Sequence, residues 1–303
     1  MLRWRLIIGT GLVVVLLGLC WLDEHSGRPG VYLFPLAVIL CVLATEELLA
    51  LFRKNGSEPY RWTSHLATLS PILTSSIPIC WPQLTTDSPL ATLGLLAVGL
   101  VVGLLVSIVT EMLRYSAPGK TLANLAAGAF GVLYLGGLLG FLVQLRHLPV
   151  GGNVASGGMW ALFSMIAVVK FTDIGAYFAG RRWGKRKLAP ILSPGKTWEG
   201  AAGGLVLAVV AALVTLGPVA RLMNIPSSRE WGAWLFGAVA YGLTVSLASM
   251  VGDLAESLIK RDAGVKDSST WLPGFGGVLD LLDSLLVAAP VAYLFWVSGL
   301  VGP

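Results

Sequence analysis

The sequence predicts an all-α, polytopic integral membrane protein, and two observations support this fold class. Of its 303 residues 55% are hydrophobic and only 12% are charged, which is about half the charged fraction of an average soluble domain. The apolar residues fall in long runs divided by short polar segments, and a helix needs about 20 such residues to cross the hydrocarbon core. We therefore expect the chain to be folded in a bilayer.

The apolar runs predict nine transmembrane helices, with boundaries good to about three residues. Three prolines in the third run, Pro71, Pro78 and Pro82, predict a helix that is kinked or only partly inserted. The first run follows two arginines like a signal peptide, but no cleavage motif follows it, so we expect a retained helix. The predicted spans are Leu6–Leu22, Val31–Leu51, Leu66–Leu84, Leu90–Met112, Leu122–Leu142, Gly157–Phe178, Gly200–Leu222, Gly232–Val251 and Leu279–Leu300.

The distribution of basic residues predicts the orientation of these spans. With the N-terminus in the cytoplasm, sixteen of the 21 Lys and Arg residues lie in inside segments and four in outside segments, while Lys170 lies within a span. This asymmetry predicts an N-in, C-out arrangement. It also accounts for the net charge of +5 without a nucleic-acid partner. We expect a single membrane domain over residues 1–303, with N-terminal helices in 1–156 and, in 157–303, the helices and cytoplasmic loops that hold the candidate site residues described next.

The most informative polar segment reads GDLAESLIKRDAGVKD and begins at Gly252. If its start is helical, Asp253, Ser257, Lys260 and Arg261 recur at i, i+4, i+7 and i+8 and share one helix face. An acid, a hydroxyl and two cations would then line one stripe of a helix.

A second polar segment, WLPGFGGVLDLLDS, begins at Trp271 with a Pro and Gly turn and continues into the ninth span. Asp280 and Asp283 lie near the start of that span, where a carboxylate is costly unless it is paired, solvated or bound to a cation. Asp253 together with Asp280 is therefore a candidate Mg²⁺ site. The alternative is that these acids only pair with nearby lysines and arginines or complement helix N-termini.

Asp173 lies within the sixth span, where an ionisable residue is by default a functional-site candidate. The alternative is a local ion pair with Lys170, three positions earlier on the same helix face. The basic run Arg181–Lys187 follows this span. Anchoring to anionic lipid headgroups is an ordinary explanation for such a run.

The segment SPGKTWEG, which begins at Ser193, precedes the seventh span. Ser193, Lys196 and Thr197 are candidate phosphate donors, because the N-terminus of a helix favours anions. An ordinary helix-entry turn is the alternative, and the GxxxxGK spacing of a P-loop is absent.

Three stretches of this sequence resemble the phosphatidate cytidylyltransferase family, also called CDP-diacylglycerol synthases. They are DIGAYFAGRRWGKRKLAPILSPGKTWEG from Asp173, GDLAESLIKRDAGVKD from Gly252 and LPGFGGVLDLLDS from Leu272. The resemblance implies a reaction of CTP with phosphatidic acid that yields CDP-diacylglycerol and pyrophosphate. It also implies Mg²⁺, with or without a second cation, and a site on the cytoplasmic side of the cell inner membrane. The oligomeric state stays open between a monomer and a homodimer.

The resemblance also suggests roles for single residues. Asp253 and Asp280 correspond to the family's metal-binding acids, Ser257 to the hydroxyl that opens its signature, and Asp283 to the acid that closes it. These four form the expected catalytic set. The expected substrate-binding set, for CTP or the lipid phosphate, is Ser193, Lys196, Thr197, Lys260, Arg261, Lys266 and Asp173.

The sequence departs from the family pattern at three positions, each of which loses a polar or cationic group. Phe275 stands where the family usually has His, Leu281 where it has Arg, and Gly195 where it often has Lys. These departures leave open altered kinetics, another lipid acceptor or a diverged member without this activity. From other classes of protein, a transporter and a non-catalytic membrane scaffold remain alternatives, although a transport path would place polar groups near the midplane of several spans.

Overall fold

The computed structural model describes residues 2–81, 89–150, 154–222, 230–271 and 276–302, and nearly all of its regular structure is helical. Two π-helical turns, Val132–Gly137 and Thr215–Val219, join α6 to α7 and α9 to α10. A short hairpin of β1 (Lys187–Ala189) and β2 (Ser193–Thr197) follows α8. The helices are α1 (Leu2–His25), α2 (Leu33–Lys54), α3 (Arg61–Ser75), α4 (Ile77–Cys80), α5 (Pro89–Arg114), α6 (Thr121–Gly131), α7 (Leu138–Arg146), α8 (Val154–Trp183), α9 (Trp198–Val214), α10 (Ala220–Leu222), α11 (Trp231–Asp262) and α12 (Val278–Val297).

Seven helices of the described residues are long and apolar enough to span a membrane, which confirms the polytopic all-α class. The first and third predicted spans have no counterpart among the seven. The third is divided, because α3 ends at Ser75 and a new helix of four residues starts at Ile77 with Pro78 in its first turn. The rest of that predicted span, Pro82 to Leu84, lies outside the described residues. The total of nine and the N-in, C-out orientation remain predictions. The seven are Leu33–Lys54, Thr92–Arg114, Thr121–Arg146, Gly157–Trp183, Trp198–Leu222, Trp231–Asp262 and Val278–Val297.

The chain divides into two compact units, and the division differs from a simple split into halves. Unit 1 comprises Met1–His147 and Ile259–Leu282, and unit 2 comprises Leu148–Leu258 and Asp283–Pro303. Helices α11 and α12 therefore each contribute one part to each unit. The segment from Ile259, which the sequence analysis grouped with the C-terminal helices, belongs to the same unit as the N-terminal helices.

In unit 1, a buried ion pair joins the end of α1 to the end of α7. The Nε atom of Arg146 donates to Asp23 Oδ2 at 2.7 Å, and the two side chains are 2% and 0% exposed. Asp23 also accepts hydrogen bonds from the backbone N–H groups of Gly30 and Tyr32, each at 2.9 Å, just before α2 begins. One carboxylate thus connects three helices, α1, α2 and α7.

In unit 2, small residues allow α8 and α9 to pack at very close range. A Cβ atom added at Gly203 would lie 2.2 Å from the Cβ of Ala179, and one added at Gly175 would lie 2.5 Å from the carbonyl oxygen of Gly203. Helices in membranes characteristically associate through such small residues, because these let the backbones approach. This packing holds the start of α9 beside the end of α8, where several candidate residues lie.

We expect Gly203→Val to destabilise the protein by about 1–3 kcal/mol, because the added methyl groups overfill the contact with Ala179. Thermal denaturation of the detergent-solubilised protein would measure the loss. Gly18→Val is the matched control, since a Cβ atom at helical Gly18 meets nothing within 4 Å. Equal stability of the two variants would contradict the role of Gly203 in packing.

Candidate active site

Unit 2 gathers charged side chains from α8, β2 and α11. Lys196 Nζ lies 2.7 Å from Asp253 Oδ2, and these side chains are 23% and 34% exposed. Asp173 on α8 interacts electrostatically with both groups. Its carboxylate is also 3.7 Å from Lys170 Nζ, so the local ion pair that was the alternative interpretation is present. Three residues that the sequence analysis selected from separate segments, Asp173, Lys196 and Asp253, are thus close together.

Gly252 brings the backbone of α12 against α11 next to Asp253. A Cβ atom at Gly252 would lie 2.4 Å from the carbonyl oxygen of Asp283, so only glycine fits this approach. The carboxylates of Asp283 and Asp253 interact electrostatically across it. The Asp283 side chain also accepts a hydrogen bond from the backbone N–H of Ser284. Asp283 therefore joins the charged cluster of unit 2.

Unit 1 contains the other proposed metal acid, Asp280, in a tightly held position. Its Oδ1 atom forms an ion pair with Lys260, and both side chains are 11% exposed. Its Oδ2 atom accepts hydrogen bonds from Ser268 N at 3.0 Å, Ser268 Oγ at 2.6 Å and Gly277 N at 2.7 Å. Such a set of donors favours the charged form of the carboxylate and fixes its orientation.

The donor chemistry of these acids fits a hard divalent cation. Carboxylate oxygens suit Mg²⁺, which uses one or two protein carboxylates and completes its shell with water and substrate phosphate oxygens. Asp253, with about a third of its side chain exposed, is the more accessible of the two predicted ligands. Within the described ranges, no group of three or more His, Cys, Asp or Glu is arranged to hold a metal ion. A shared Mg²⁺ site of Asp253 and Asp280 stays a prediction.

The SPGKTWEG segment forms strand β2 and the entry to α9. The Thr197 hydroxyl accepts a hydrogen bond from Gly200 N at 3.1 Å, which makes Thr197 the N-cap of α9, and this residue is 7% exposed. Glu199 accepts hydrogen bonds from Lys185 N at 3.0 Å and from Arg186 N at 3.2 Å, so the basic run is tied to the same helix start. The structure thus shows the ordinary helix-entry turn that was the alternative interpretation of this segment. Phosphate binding by Ser193 and Thr197 stays a prediction.

Strands β1 and β2 pair in an antiparallel hairpin, with Lys187 opposite Thr197 and Ala189 opposite Ser193. The all-α prediction did not include this hairpin. Its strands have three and five residues, and a strand that contains Pro194 and Gly195 lacks the alternating apolar pattern by which strands are recognised.

Helix α11 continues to Asp262, so the start of the segment from Gly252 is helical, which was the condition for Asp253 and Ser257 to share a helix face. Ser257 is buried on this helix, and Arg261 donates to the backbone carbonyl of Val265 at 3.0 Å. Lys266 is exposed beyond the helix end. Substrate contacts of these three residues remain predictions.

The three departures from the family pattern fall in different surroundings. Phe275 lies outside the described residues. Leu281 is partly buried on α12, directly after Asp280. Open space surrounds the position of a Cβ atom at Gly195, so this turn is not sterically restricted to glycine.

Glu47, Ser268 and Ser269 were not predicted from the sequence, and they form a hydrogen-bonded group that contacts Asp280 through Ser268. Ser268 Oγ lies 2.9 Å from Glu47 Oε2, and Ser269 Oγ lies 2.7 Å from Glu47 Oε1. The available signal was the pair of acids at Glu46 and Glu47, because carboxylates within an apolar span are functional candidates by default.

The fold and site define a polytopic membrane protein in which acids and lysines are paired at or near the ends of helices. The chain belongs to the cytidylyltransferase family, whose model matches residues 3–298. It is similar to the phosphatidate cytidylyltransferase of Brucella suis, with 36% identity over 296 residues that cover 97% of this chain and 93% of that protein. Proteins of the same name from Haemophilus influenzae and Pseudomonas aeruginosa share 45% identity over 141 residues and 42% over 159. The alignment with the Haemophilus protein covers 46% of each chain. The alignment with the Pseudomonas protein covers 52% of this chain and 53% of that relative.

Proposed function

We propose that this protein is a CTP:phosphatidate cytidylyltransferase, a nucleotidyltransferase that makes CDP-diacylglycerol and pyrophosphate for phospholipid synthesis. The observation that carries this proposal is the similarity to proteins of that name along 97% of the chain. The charged clusters agree with the chemistry, because a reaction between two phosphates needs cations for the phosphates and acids for a metal ion.

In the proposed reaction, an oxygen of the lipid phosphate attacks the α-phosphorus of CTP while the bond to the pyrophosphate oxygen breaks. Lys196 and Lys260 would neutralise phosphate charge, and both ammonium groups lie beside an acid at the site. Asp253 and Asp280 are each proposed as carboxylate ligands of Mg²⁺. When bound, that ion would polarise phosphate oxygens and offset the charge that develops during transfer.

The substrates explain why a reaction site would lie where helices end. CTP is soluble in water, whereas phosphatidic acid keeps its acyl chains in the bilayer, so both reach the same point only near the membrane surface. The proposal puts this site on the cytoplasmic side of the cell inner membrane, and the distribution of Lys and Arg supports that side. Bilayer lipids are the expected surroundings of the protein, with no nucleic-acid partner.

Purified protein in detergent, incubated with labelled CTP, phosphatidic acid and Mg²⁺, is expected to form a labelled CDP-lipid and one pyrophosphate per product. Removal of divalent cations with a chelator should lower the rate by about two orders of magnitude or more, because several kcal/mol of charge stabilisation are lost. Added Mg²⁺ should restore it. Diacylglycerol is the matched control substrate, since it lacks the attacking phosphate.

Folded protein that binds CTP but forms no CDP-lipid from phosphatidic acid would contradict this assignment. Product formation that is unaffected by chelation would refute the metal requirement, while phosphatidic acid would still be the substrate.

A further inference from the structure

Glu47 is a buried carboxylate on α2, 2% exposed, and four hydrogen-bond donors lie around it. Its Oε1 atom accepts from Ser269 Oγ at 2.7 Å and from Val278 N at 2.9 Å. Its Oε2 atom accepts from Leu279 N at 2.8 Å and lies 2.9 Å from Ser268 Oγ, a hydroxyl whose single proton it shares with Asp280. All of these partners belong to unit 1. A buried charge is costly unless it is satisfied in this way.

The two backbone partners are the first N–H groups of α12, which have no acceptor within their own helix. The residue before the helix, Gly277, has no side chain with which to cap it. Glu47 supplies the missing acceptor from a different helix, and its negative charge also complements the positive end of the helix dipole.

The same cap includes Asp280, the third residue of α12. Its Oδ2 atom reaches back to Gly277 N at 2.7 Å, which is the acidic half of a capping box. Ser268 Oγ lies within hydrogen-bonding distance of both carboxylates, 2.9 Å from Glu47 and 2.6 Å from Asp280. A Cβ atom at Gly277 would lie 2.3 Å from Glu47 Oε2, so the close approach of Glu47 to the start of α12 needs glycine at this position.

We propose that Glu47 is a positioning residue that orders the first turn of α12 and thereby orients the carboxylate of Asp280. Glu47 acts through Ser268 and the backbone of residues 277–279 and does not itself contact substrate. This inference rests on the proposed function for the role of Asp280 in the reaction, whereas the ordering of the helix start stands on the contacts alone.

The test is Glu47→Gln, which keeps the size of the side chain but replaces one acceptor oxygen with an amide NH₂ that faces a backbone N–H. Hydrogen–deuterium exchange of peptides covering residues 277–280 should become about tenfold faster in this variant. We expect kcat to fall by about 10- to 100-fold, and the Mg²⁺ concentration that gives half the maximal rate to rise several-fold. The KM for CTP should change by less than about twofold.

Glu46→Gln is the matched control, because Glu46 is the adjacent acid on α2 and bonds Arg61 Nε at 2.5 Å and His65 Nε2 at 2.6 Å, away from α12. It should leave both the exchange of residues 277–280 and the Mg²⁺ dependence unchanged. If Glu47→Gln does not fold, Ser269→Ala is the second variant, because it removes one donor to Glu47. Its effects on exchange, kcat and Mg²⁺ dependence should have the same direction and be smaller.

Wild-type exchange at residues 277–280 in these variants would overturn the proposal. Faster exchange with unchanged kcat and unchanged Mg²⁺ dependence would overturn the positioning role and leave a structural cap. If the wild-type protein makes no product, the proposed function fails, and the exchange measurement alone still decides whether Glu47 orders the start of α12.

Discussion

Asp253→Asn is expected to lower CTP-dependent formation of CDP-lipid by roughly 10³-fold or more, the equivalent of about 4 kcal/mol of transition-state stabilisation. The substitution keeps the shape of the side chain and removes its charge. A neutral amide is a poor ligand for Mg²⁺, and the nearby ammonium of Lys196, 2.7 Å from the carboxylate, loses its counter-charge. The rate should be measured with labelled CTP at saturating Mg²⁺ and phosphatidic acid.

The control for this prediction is Asp262→Asn on the same helix. Asp262 is exposed at the end of α11, where it accepts a hydrogen bond from Asn55 at 2.5 Å. We expect its variant to keep nearly the wild-type rate. Both variants should also insert into membranes and elute from gel filtration like the wild-type protein. An Asp253→Asn variant that retains substantial activity would refute the metal-ligand role of Asp253.

Asp23→Asn is expected to cause the largest loss of stability, about 3–5 kcal/mol, because it leaves the buried guanidinium of Arg146 without its close charged partner. Arg146 is 2% exposed, and Glu24 is the next carboxylate, at 3.9 Å. The change also weakens the acceptor for the backbone N–H groups that precede α2. Because membrane proteins often unfold irreversibly, the half-life of the folded protein in detergent at a fixed temperature is the suitable measurement.

Glu24→Gln provides the matched control for Asp23→Asn. The Glu24 side chain is 28% exposed and its contact with Arg146 is long, so its removal should cost less than about 1 kcal/mol. In the double variant Asp23→Asn/Arg146→Gln we expect less destabilisation than the sum of the single changes, since no unpaired charge remains. Additive effects would show that the two side chains are not coupled.

Features that depend on local sequence were predicted well. The class of membrane protein follows from composition and from the length of the apolar runs, which do not depend on how helices pack. The helix that Asp253 and Ser257 share was assumed for the segment from Gly252 and is observed. The prolines of the third span predicted a kinked or partly inserted helix, and the helix is divided at Ser76. The family could be recognised because its motifs are contiguous in the chain.

The sequence by itself thus determined the fold class, the family and most of the candidate residues. Tertiary structure decided which candidates are partners, Lys196 with Asp253 and Lys260 with Asp280. It also added the pair of Glu47 and Ser268, 221 positions apart, which the sequence patterns did not indicate. The physical reason is that helix formation and membrane insertion depend on neighbours in sequence. Pairing of charges depends instead on distances that only packed helices define, such as the approach allowed by Gly252.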